Sequence, residues 1–128
     1  MYFDFGKGLS TKDLMKLIHN PGERAKWDKD VEYGKVLGLS ENGKILLFHQ
    51  RMKSAISFIQ QRDFLEKKLK FKVKIPSTTE GGQDRTRYFI FFTSIPDEHL
   101  PCEKNITRAL VVSGIHMFER LEDGRIRF

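Results

Sequence analysis

Apolar residues recur at helical spacing near the beginning of the chain. Leu14, Leu17 and Ile18 fall at positions i, i+3 and i+4, so they form one apolar stripe along a helix. Ser10 and Asp13 have the spacing of a capping box, in which each side chain accepts a hydrogen bond from the other residue's backbone N–H. We therefore predict a helix that begins after Ser10.

A second short helix is predicted directly after the first. Pro21 ends the first helix and is well suited to the first position of a new one. Asn20 can cap this second helix with its side-chain oxygen, and Glu23 can reach back to the cap. The segment ends at Trp27 and Asp28, where we expect Trp27 to pack in the core beside the helix end.

From residue 31 onward the spacing changes to that of β-strands. The dipeptides Asn42-Gly43 and Asp123-Gly124 are turn signals that join neighbouring strands as hairpins. The segment 53–61 fits neither period, so it has no predicted structure. The predicted strands are 2–5, 31–39, 44–52, 62–75, 87–95, 106–121 and 125–128.

The predicted strand 62–75 separates apolar from basic side chains. Alternation gives it an apolar face and a basic face, made respectively of Leu65, Leu69, Phe71, Val73 and Ile75 and of Lys68, Lys70, Lys72 and Lys74. Lysines interleaved with aromatic residues also occur in sheets that bind single-stranded nucleic acid, which is one alternative for the function. The lysines are concentrated on this one strand, so nucleic acid is not the favoured partner.

The order of elements predicts the fold class. A strand, two helices and then a meander of strands are typical of an α+β fold with an antiparallel sheet. The 128 residues are enough for one domain, spanning 1–128. Such a sheet has one face for helices, and two short helices cover little of it. We therefore expect a further helix, a partner or a bound apolar ligand on that face.

Composition narrows the classes of partner and compartment. The net charge of +6 favours anionic partners. Eleven phenylalanines indicate either a dense core or a cavity lined by rings. The single cysteine, Cys102, cannot form an intramolecular disulfide, and no apolar segment approaches the roughly 20 residues of a membrane span. These features predict a cytoplasmic protein.

The sequence contains no pattern typical of catalysis or metal binding. Its four histidines are isolated from one another along the chain, and HExxH, GxSxG and phosphate-loop motifs are absent from it. We therefore predict a protein that is not an enzyme and that has no catalytic residue, no metal site and no cofactor.

Three segments, taken together, resemble the START family of lipid-transfer domains. WD at 27–28 resembles the family's Trp-Asp before a strand, RDF at 62–64 resembles its Arg-Asp-Phe at a strand start, and Arg108 looks like its recurring arginine. The hairpin and the aromatic strand between these motifs extend the resemblance over nearly all of the chain. We expect Arg62 and Asp63 to pair with each other at the strand start.

The resemblance implies a helix-grip fold, in which a curved antiparallel sheet wraps a long C-terminal helix and encloses one lipid. START domains are longer at both ends, whereas this chain begins just before the helical pair and ends at Phe128. The C-terminal lid helix is therefore expected to be missing. The implied function is lipid binding and intracellular lipid transfer without chemistry, driven by burial of acyl chains at about 0.8 kcal/mol per CH2.

The resemblance also suggests which lipid is bound. Cholesterol-binding START domains carry a cavity carboxylate and arginine, and by spacing His49 and Lys68 take those positions here. A basic pair in a cavity suits the phosphate of a phospholipid better than a sterol. His49, Arg51 and Lys68 are thus the sharpest ligand hypothesis; the alternative is a polar row that faces solvent. The residues expected to bind lipid are Leu47, His49, Arg51, Phe64, Lys68, Tyr88, Ile90, Phe92, Arg108 and Leu110.

Membranes are the expected second partner. Basic loops would dock transiently on an anionic membrane surface, which makes the protein peripheral to membranes, and the loops 95–100 and 76–86 are the candidate gates. An alternative is a non-catalytic interaction or scaffold fragment. Such a fragment would form a homodimer to cover an exposed sheet face.

Overall fold

A computed structural model of the protein describes residues 2–3, 9–54, 56–78 and 80–128. It contains two α-helices, α1 (Thr11–His19) and α2 (Pro21–Trp27), and a 3-10 turn at Asp97–His99. The strands are β1 (Tyr2–Phe3), β2 (Val31–Leu39), β3 (Ile45–Met52), β4 (Gln61–Ile75), β5 (Arg85–Ser94), β6 (Ile106–Ala109), β7 (Gly114–Arg120) and β8 (Ile126–Arg127).

Both predicted helices are confirmed, and each begins at its predicted cap. The Oγ atom of Ser10 accepts a hydrogen bond from the Asp13 backbone N–H at 3.1 Å, and the Asp13 carboxylate accepts one from the Ser10 N–H at 3.3 Å. The Oδ1 atom of Asn20 accepts from the N–H groups of Gly22 and Glu23 at 3.0 and 3.2 Å. These bonds satisfy helix N–H groups that have no partner inside the helix.

Trp27 does not pack in the core, so that prediction is wrong. Its side chain is 55% exposed. The indole Nε1–H donates to the backbone oxygen of Leu17 at 3.0 Å, which ties the end of α2 to α1. Because α2 has only seven residues, its last side chain reaches α1 before it reaches the sheet.

The strands form one sheet in the order β1-β8-β7-β5-β4-β3-β2, and neighbours along this path are antiparallel. The predicted α+β class with an antiparallel sheet is therefore confirmed. The short strand β6 lies off the path and pairs in parallel with residues 61–64 of β4. Residues 66–75 of β4 pair with β5. Thus β4 has two partners, one after the other, along the same edge.

The two predicted turns are confirmed by their backbone geometry. Gly43 and Gly124 have φ values of +66° and +85°, which L side chains rarely adopt. They close the β2–β3 and β7–β8 hairpins. The segment 53–60, which has no sequence period, forms a loop over its described residues. Of the predicted first strand, residues 4–5 lie outside the described part of the chain.

The prediction of one strand over 106–121 is wrong. Residues 110–113 leave the sheet as a loop between β6 and β7, because Val111 bonds to Ser94 of β5: the Ser94 N–H donates to the Val111 oxygen at 2.9 Å, and the Val111 N–H donates to Ser94 Oγ at 2.8 Å. The chain returns at Gly114, where a Cβ atom would lie 2.3 Å from the Phe92 ring. A larger residue at this position would have to displace the Phe92 ring.

The core lies between α1 and one face of the sheet. Leu14 of α1 packs against Ile90, Phe118 and Ile126, all of which are nearly fully buried. We call the sheet face that carries these side chains the helix face and the opposite one the far face. The helix α2 packs beside β2 at Gly34, where a Cβ atom would lie 2.4 Å from the Pro21 oxygen.

The far face carries a second apolar surface. Cross-strand pairing puts Ile45, Leu69, Phe91 and Ile115 in one row across β3, β4, β5 and β7. Side chains in this row are partly open to solvent, up to 58% exposed at Ile115. This uncovered apolar surface lies on the face opposite α1, whereas the expectation concerned the face that carries the helices.

Candidate functional site

A cavity of about 230 Å³ lies on the helix face, between the helical pair and strands β3, β4, β5 and β7. Alternation along the strands turns every second side chain toward it. Its apolar wall is formed by Ile18, Phe48, Met52, Phe64, Phe92 and Val111.

Lys68 is the principal cation of the cavity. Its side chain is only 5% exposed, and its Nζ atom lies 3.8 Å from the centroid of the Phe48 ring. Nζ donates one long hydrogen bond, 3.4 Å, to the backbone oxygen of His19. Burial lowers the pKa of Lys68 to about 8, although the negative charge of Glu66 opposes this change. The ammonium is thus poorly solvated and weakly hydrogen-bonded.

Glu66 lies two residues before Lys68 and on the same face of β4. Its side chain is buried, and burial raises its pKa while the charges of Lys68 and Arg24 lower it. Within the described part of the chain, its carboxylate makes neither a hydrogen bond nor an ion pair within 4.0 Å. The cavity therefore contains a buried carboxylate and a buried ammonium that are not bonded to each other.

Two histidines meet at the cavity wall. His19 ends α1 and His116 lies on β7, and their ring nitrogens are 3.0 Å apart. Burial and the nearby charge of Lys68 lower the pKa of His19 to about 2, and the same two causes lower that of His116. Both rings are therefore neutral near pH 7. They supply hydrogen-bonding groups to the cavity and add no charge to it.

A second buried polar group lies on the far face, around Asp63. Its carboxylate is 1% exposed. It accepts hydrogen bonds from Arg108 Nε at 2.7 Å, Arg108 Nη2 at 3.0 Å and His49 Nε2 at 2.7 Å. Burial raises the pKa of Asp63, but these hydrogen bonds outweigh burial and lower the pKa overall. The Oη atom of Tyr33 lies 3.2 Å from the other His49 nitrogen and completes a chain of contacts.

This polar network fastens the long loop that precedes β6. Arg108 Nη1 donates to Asp97 at 2.8 Å, and Nη2 donates to the Leu100 oxygen at 3.1 Å. Arg51 pairs with Glu103 and lies over the ring of Tyr33, 4.9 Å from its centroid. The contacts of Tyr33, His49, Asp63 and Arg108 form a structural clamp that joins β2, β3, β4 and β6, although Arg51 Nε has no hydrogen-bond partner among the described residues.

The structure does not bring the predicted basic residues together in one site. In the β3–β4 register His49 lies opposite Leu65, and Lys68 lies opposite Leu46. Since side chains alternate between faces, His49, Arg51 and Leu47 project from the far face and Lys68 from the helix face. The prediction of a cavity shared by His49, Arg51 and Lys68 is therefore corrected.

The other residues predicted to bind lipid also divide between the cavity and other parts of the structure. Phe64, Lys68 and Phe92 line the cavity. Ile90 is fully buried under α1, and Tyr88 lies farther along the sheet beside Met15. The remaining two are Arg108, in the far-face network, and Leu110, which is 76% exposed.

Sequence reasoning missed several cavity residues. Glu66 shares the parity of Lys68 along β4, so its position was readable from the alternation. His19 and His116 are 97 residues apart, and no sequence signal links them. The predicted pairing of Arg62 with Asp63 is wrong, because adjacent strand residues point to opposite faces and Asp63 pairs with Arg108.

Comparison with known proteins found no family model and no curated protein that matches this chain. The structure itself defines an α+β protein with an antiparallel sheet, a small cavity with an apolar wall and two buried charges, and a buried far-face clamp. In the described ranges, neither a cluster of three potential metal ligands nor a helix long and apolar enough to cross a membrane is found.

Proposed function

We propose that this domain binds a lipid in the helix-face cavity and carries it between membranes in the cytoplasm without catalysing a reaction. The observation that carries the proposal is the composition of the cavity. Aromatic and aliphatic side chains enclose Lys68 and Glu66, which are buried without bonding to each other. Buried charges are costly unless they find partners, and a polar ligand would supply them.

The proposed ligand is a phospholipid rather than a sterol. Its phosphate would accept hydrogen bonds from Lys68, and Arg24, which also lines the cavity, would add a second positive charge. A sterol offers a single hydroxyl group, which cannot neutralise an ammonium. A headgroup that also carries a donor would engage Glu66.

The size of the cavity defines how the lipid would be held. About 230 Å³ is below the roughly 300–1,000 Å³ of pockets that enclose drug-sized ligands. In the proposed complex only the polar end of the lipid therefore lies beside Lys68. The acyl chains extend past Phe64 and Val111 toward the edge of the cavity.

The helix-grip fold is part of this proposal. Two observations support it: a single antiparallel sheet with short helices on one face, and the buried pair of Asp63 with Arg108. These two residues belong to different START-like segments of the sequence. Their contact gives the resemblance a physical basis that sequence spacing alone lacks.

Native mass spectrometry of the freshly purified protein, with lipid extraction of the same sample, tests the proposal. We expect a phospholipid adduct, or uptake of a short-chain phosphatidylcholine added below its micelle concentration. Lys68→Met should weaken this uptake at least about tenfold, because one charge-assisted hydrogen bond contributes roughly 1.5–3 kcal/mol. The control Lys67→Met alters an exposed far-face lysine and should bind normally. A bare mass under both conditions would overturn the proposal.

An interaction module is the second candidate, and the far-face apolar row favours it. Leu69, Phe91 and Ile115 are 37%, 37% and 58% exposed, and exposed apolar rows are typical of protein contacts. Sedimentation of the lipid-free protein tests this candidate: a dimer dispersed by Ile115→Ser would support it, and a monomer would not. Nucleic acid gains little support, because Lys70 and Lys72 project from the face opposite the Phe71 ring.

A further inference from the structure

The most exposed apolar side chains of the described residues include two in one short loop. Leu110 and Val112, between β6 and β7, are 76% and 91% exposed. Val111, between them, turns the other way and lines the cavity. One three-residue segment therefore has an apolar outer side toward solvent and an inner side toward the proposed lipid site.

This segment is held in place by hydrogen bonds to β5. Val111 exchanges two with Ser94, at 2.8 and 2.9 Å. The hydroxyl of Thr93 donates to the Val112 oxygen at 2.7 Å. Because the backbone is anchored, Leu110 and Val112 cannot turn inward to bury themselves without breaking these bonds. Their apolar surface stays in water unless a partner covers it.

Other features at the same end of the sheet indicate the partner. Antiparallel pairing brings the end of β3 and the start of β4 to the end of the sheet where β5 stops and β7 begins. Phe58, in the β3–β4 loop there, is 84% exposed. Lys53, Arg62 and Lys104 are exposed in or beside the loops at this end, and so are Asp30, Glu32 and Glu103. Apolar side chains that protrude from loop tips, with cationic side chains beside them, are typical of proteins that dock on lipid surfaces.

We propose that Leu110 and Val112 insert into an anionic phospholipid bilayer and dock the cavity wall at Val111 against it. A protein partner fits less well, because a stable protein interface buries about 800 Å² on each side, and a few separate side chains on loop tips offer much less. The inference rests on the proposed lipid-binding function, since docking at this position serves to pass lipid into the cavity.

Vesicle flotation with the double variant Leu110→Ser/Val112→Ser tests the inference. Vesicles of phosphatidylcholine with added phosphatidylserine are the probe. We expect the double variant to bind them at least about tenfold more weakly than the unmodified protein, because two apolar side chains no longer leave water. Ile115→Ser, which alters an equally apolar but far-face residue, is the matched control and should bind normally.

Uptake of short-chain phosphatidylcholine, measured on the same variants without vesicles, separates the two proposals. Normal uptake with lost flotation supports the inference, and it also shows that the double variant is folded. Normal flotation of the double variant overturns the inference and leaves the proposed function intact. Equal loss of flotation in Ile115→Ser also overturns it. A third outcome is that the unmodified protein floats with the vesicles, the double variant does not, and neither takes up phosphatidylcholine. That outcome would support the docking surface and overturn the proposed function.

Discussion

Arg108 on β6 holds Asp63 on β4 with two hydrogen bonds, from Nε at 2.7 Å and Nη2 at 3.0 Å, across 45 residues of sequence. The pair is almost completely buried. It lies where β6 runs parallel to the start of β4, and it fixes a strand of only four residues. The pair therefore adds a buried side-chain contact to the backbone pairing of β6 with β4.

Asp63→Asn should destabilise the protein by roughly 1–3 kcal/mol, because Arg108 loses its buried carboxylate and keeps only the ion pair with the exposed Asp97. Urea unfolding followed by circular dichroism measures this change. Asp123→Asn is the control, since its pair with Arg125 is exposed, and it should unfold as the unmodified protein does. An equal loss of unfolding free energy in Asp63→Asn and Asp123→Asn would contradict the role of Asp63 as a structural clamp.

The buried histidine pair should make the protein sensitive to acid. The folded pKa of His19 is lowered to about 2, whereas an unfolded histidine titrates near 6.5. Between these values the unfolded chain binds a proton that the folded protein does not. Stability is therefore complete above about pH 6.5 and falls as pH decreases, by up to about 1.4 kcal/mol per pH unit.

His19→Gln tests this dependence, because glutamine cannot be protonated. Unfolding free energies measured by urea titration from about pH 6.5 to 5 should vary less with pH in this variant than in the unmodified protein. His116→Gln should have a smaller effect on the slope, since His116 is only half-buried. An unchanged slope in His19→Gln would show that His19 is protonated in the folded protein.

Gly34→Ala should separate α2 from β2. The new Cβ atom would lie 2.4 Å from the backbone oxygen of Pro21, and backbone cannot move aside as a flexible side chain can. We expect a loss of roughly 1–3 kcal/mol, measured by thermal or urea unfolding. Gly38→Ala, on the same strand, meets only Leu47 at an ordinary 3.6 Å and should be nearly neutral. Equal losses of stability in Gly34→Ala and Gly38→Ala would mean that strand propensity, and not the clash with Pro21, determines the stability of both variants.

The cavity charges should oppose stability while they favour ligand binding. Glu66→Gln/Lys68→Met removes two buried charges that are not bonded to each other. Apolar or neutral replacements of buried charges are often stabilising by about 1–4 kcal/mol, so the lipid-free variant should unfold at higher urea concentration. The same variant should take up less short-chain phosphatidylcholine. A variant that is both less stable and fully competent in uptake would refute this trade-off.

Local signals in the sequence predicted most of the secondary structure. The caps at Ser10 and Asn20 and the glycines at 43 and 124 act within a few residues, so their effects are readable without the fold. Long-range contacts override such signals at residues 110–113, where Ser94 takes the hydrogen bonds of Val111 and interrupts an otherwise strand-like run.

The site was harder to predict because it depends on register. Alternation along β3 indicates that His49 and Arg51 share a face of the sheet, but it does not show which residues of β4 project from that same face. The pairing of β3 with β4 puts Lys68 opposite Leu46 on the helix face. The contact of His19 with His116 depends on how α1 packs against β7, which no local pattern contains.

The division of one edge of β4 between β6 and β5 has a consequence for local opening. Only four residue pairs join β6 to β4, whereas ten join β5 to it. Segments with few backbone contacts open as separate cooperative units and exchange their amide hydrogens with solvent before the rest of a sheet does. We expect residues 106–113 to form such a unit once the Asp63–Arg108 pair and the hydrogen bonds of Val111 and Val112 to β5 break. Val111 would then leave the cavity wall while β4 and β5 stay paired, which would open a route into the interior without global unfolding.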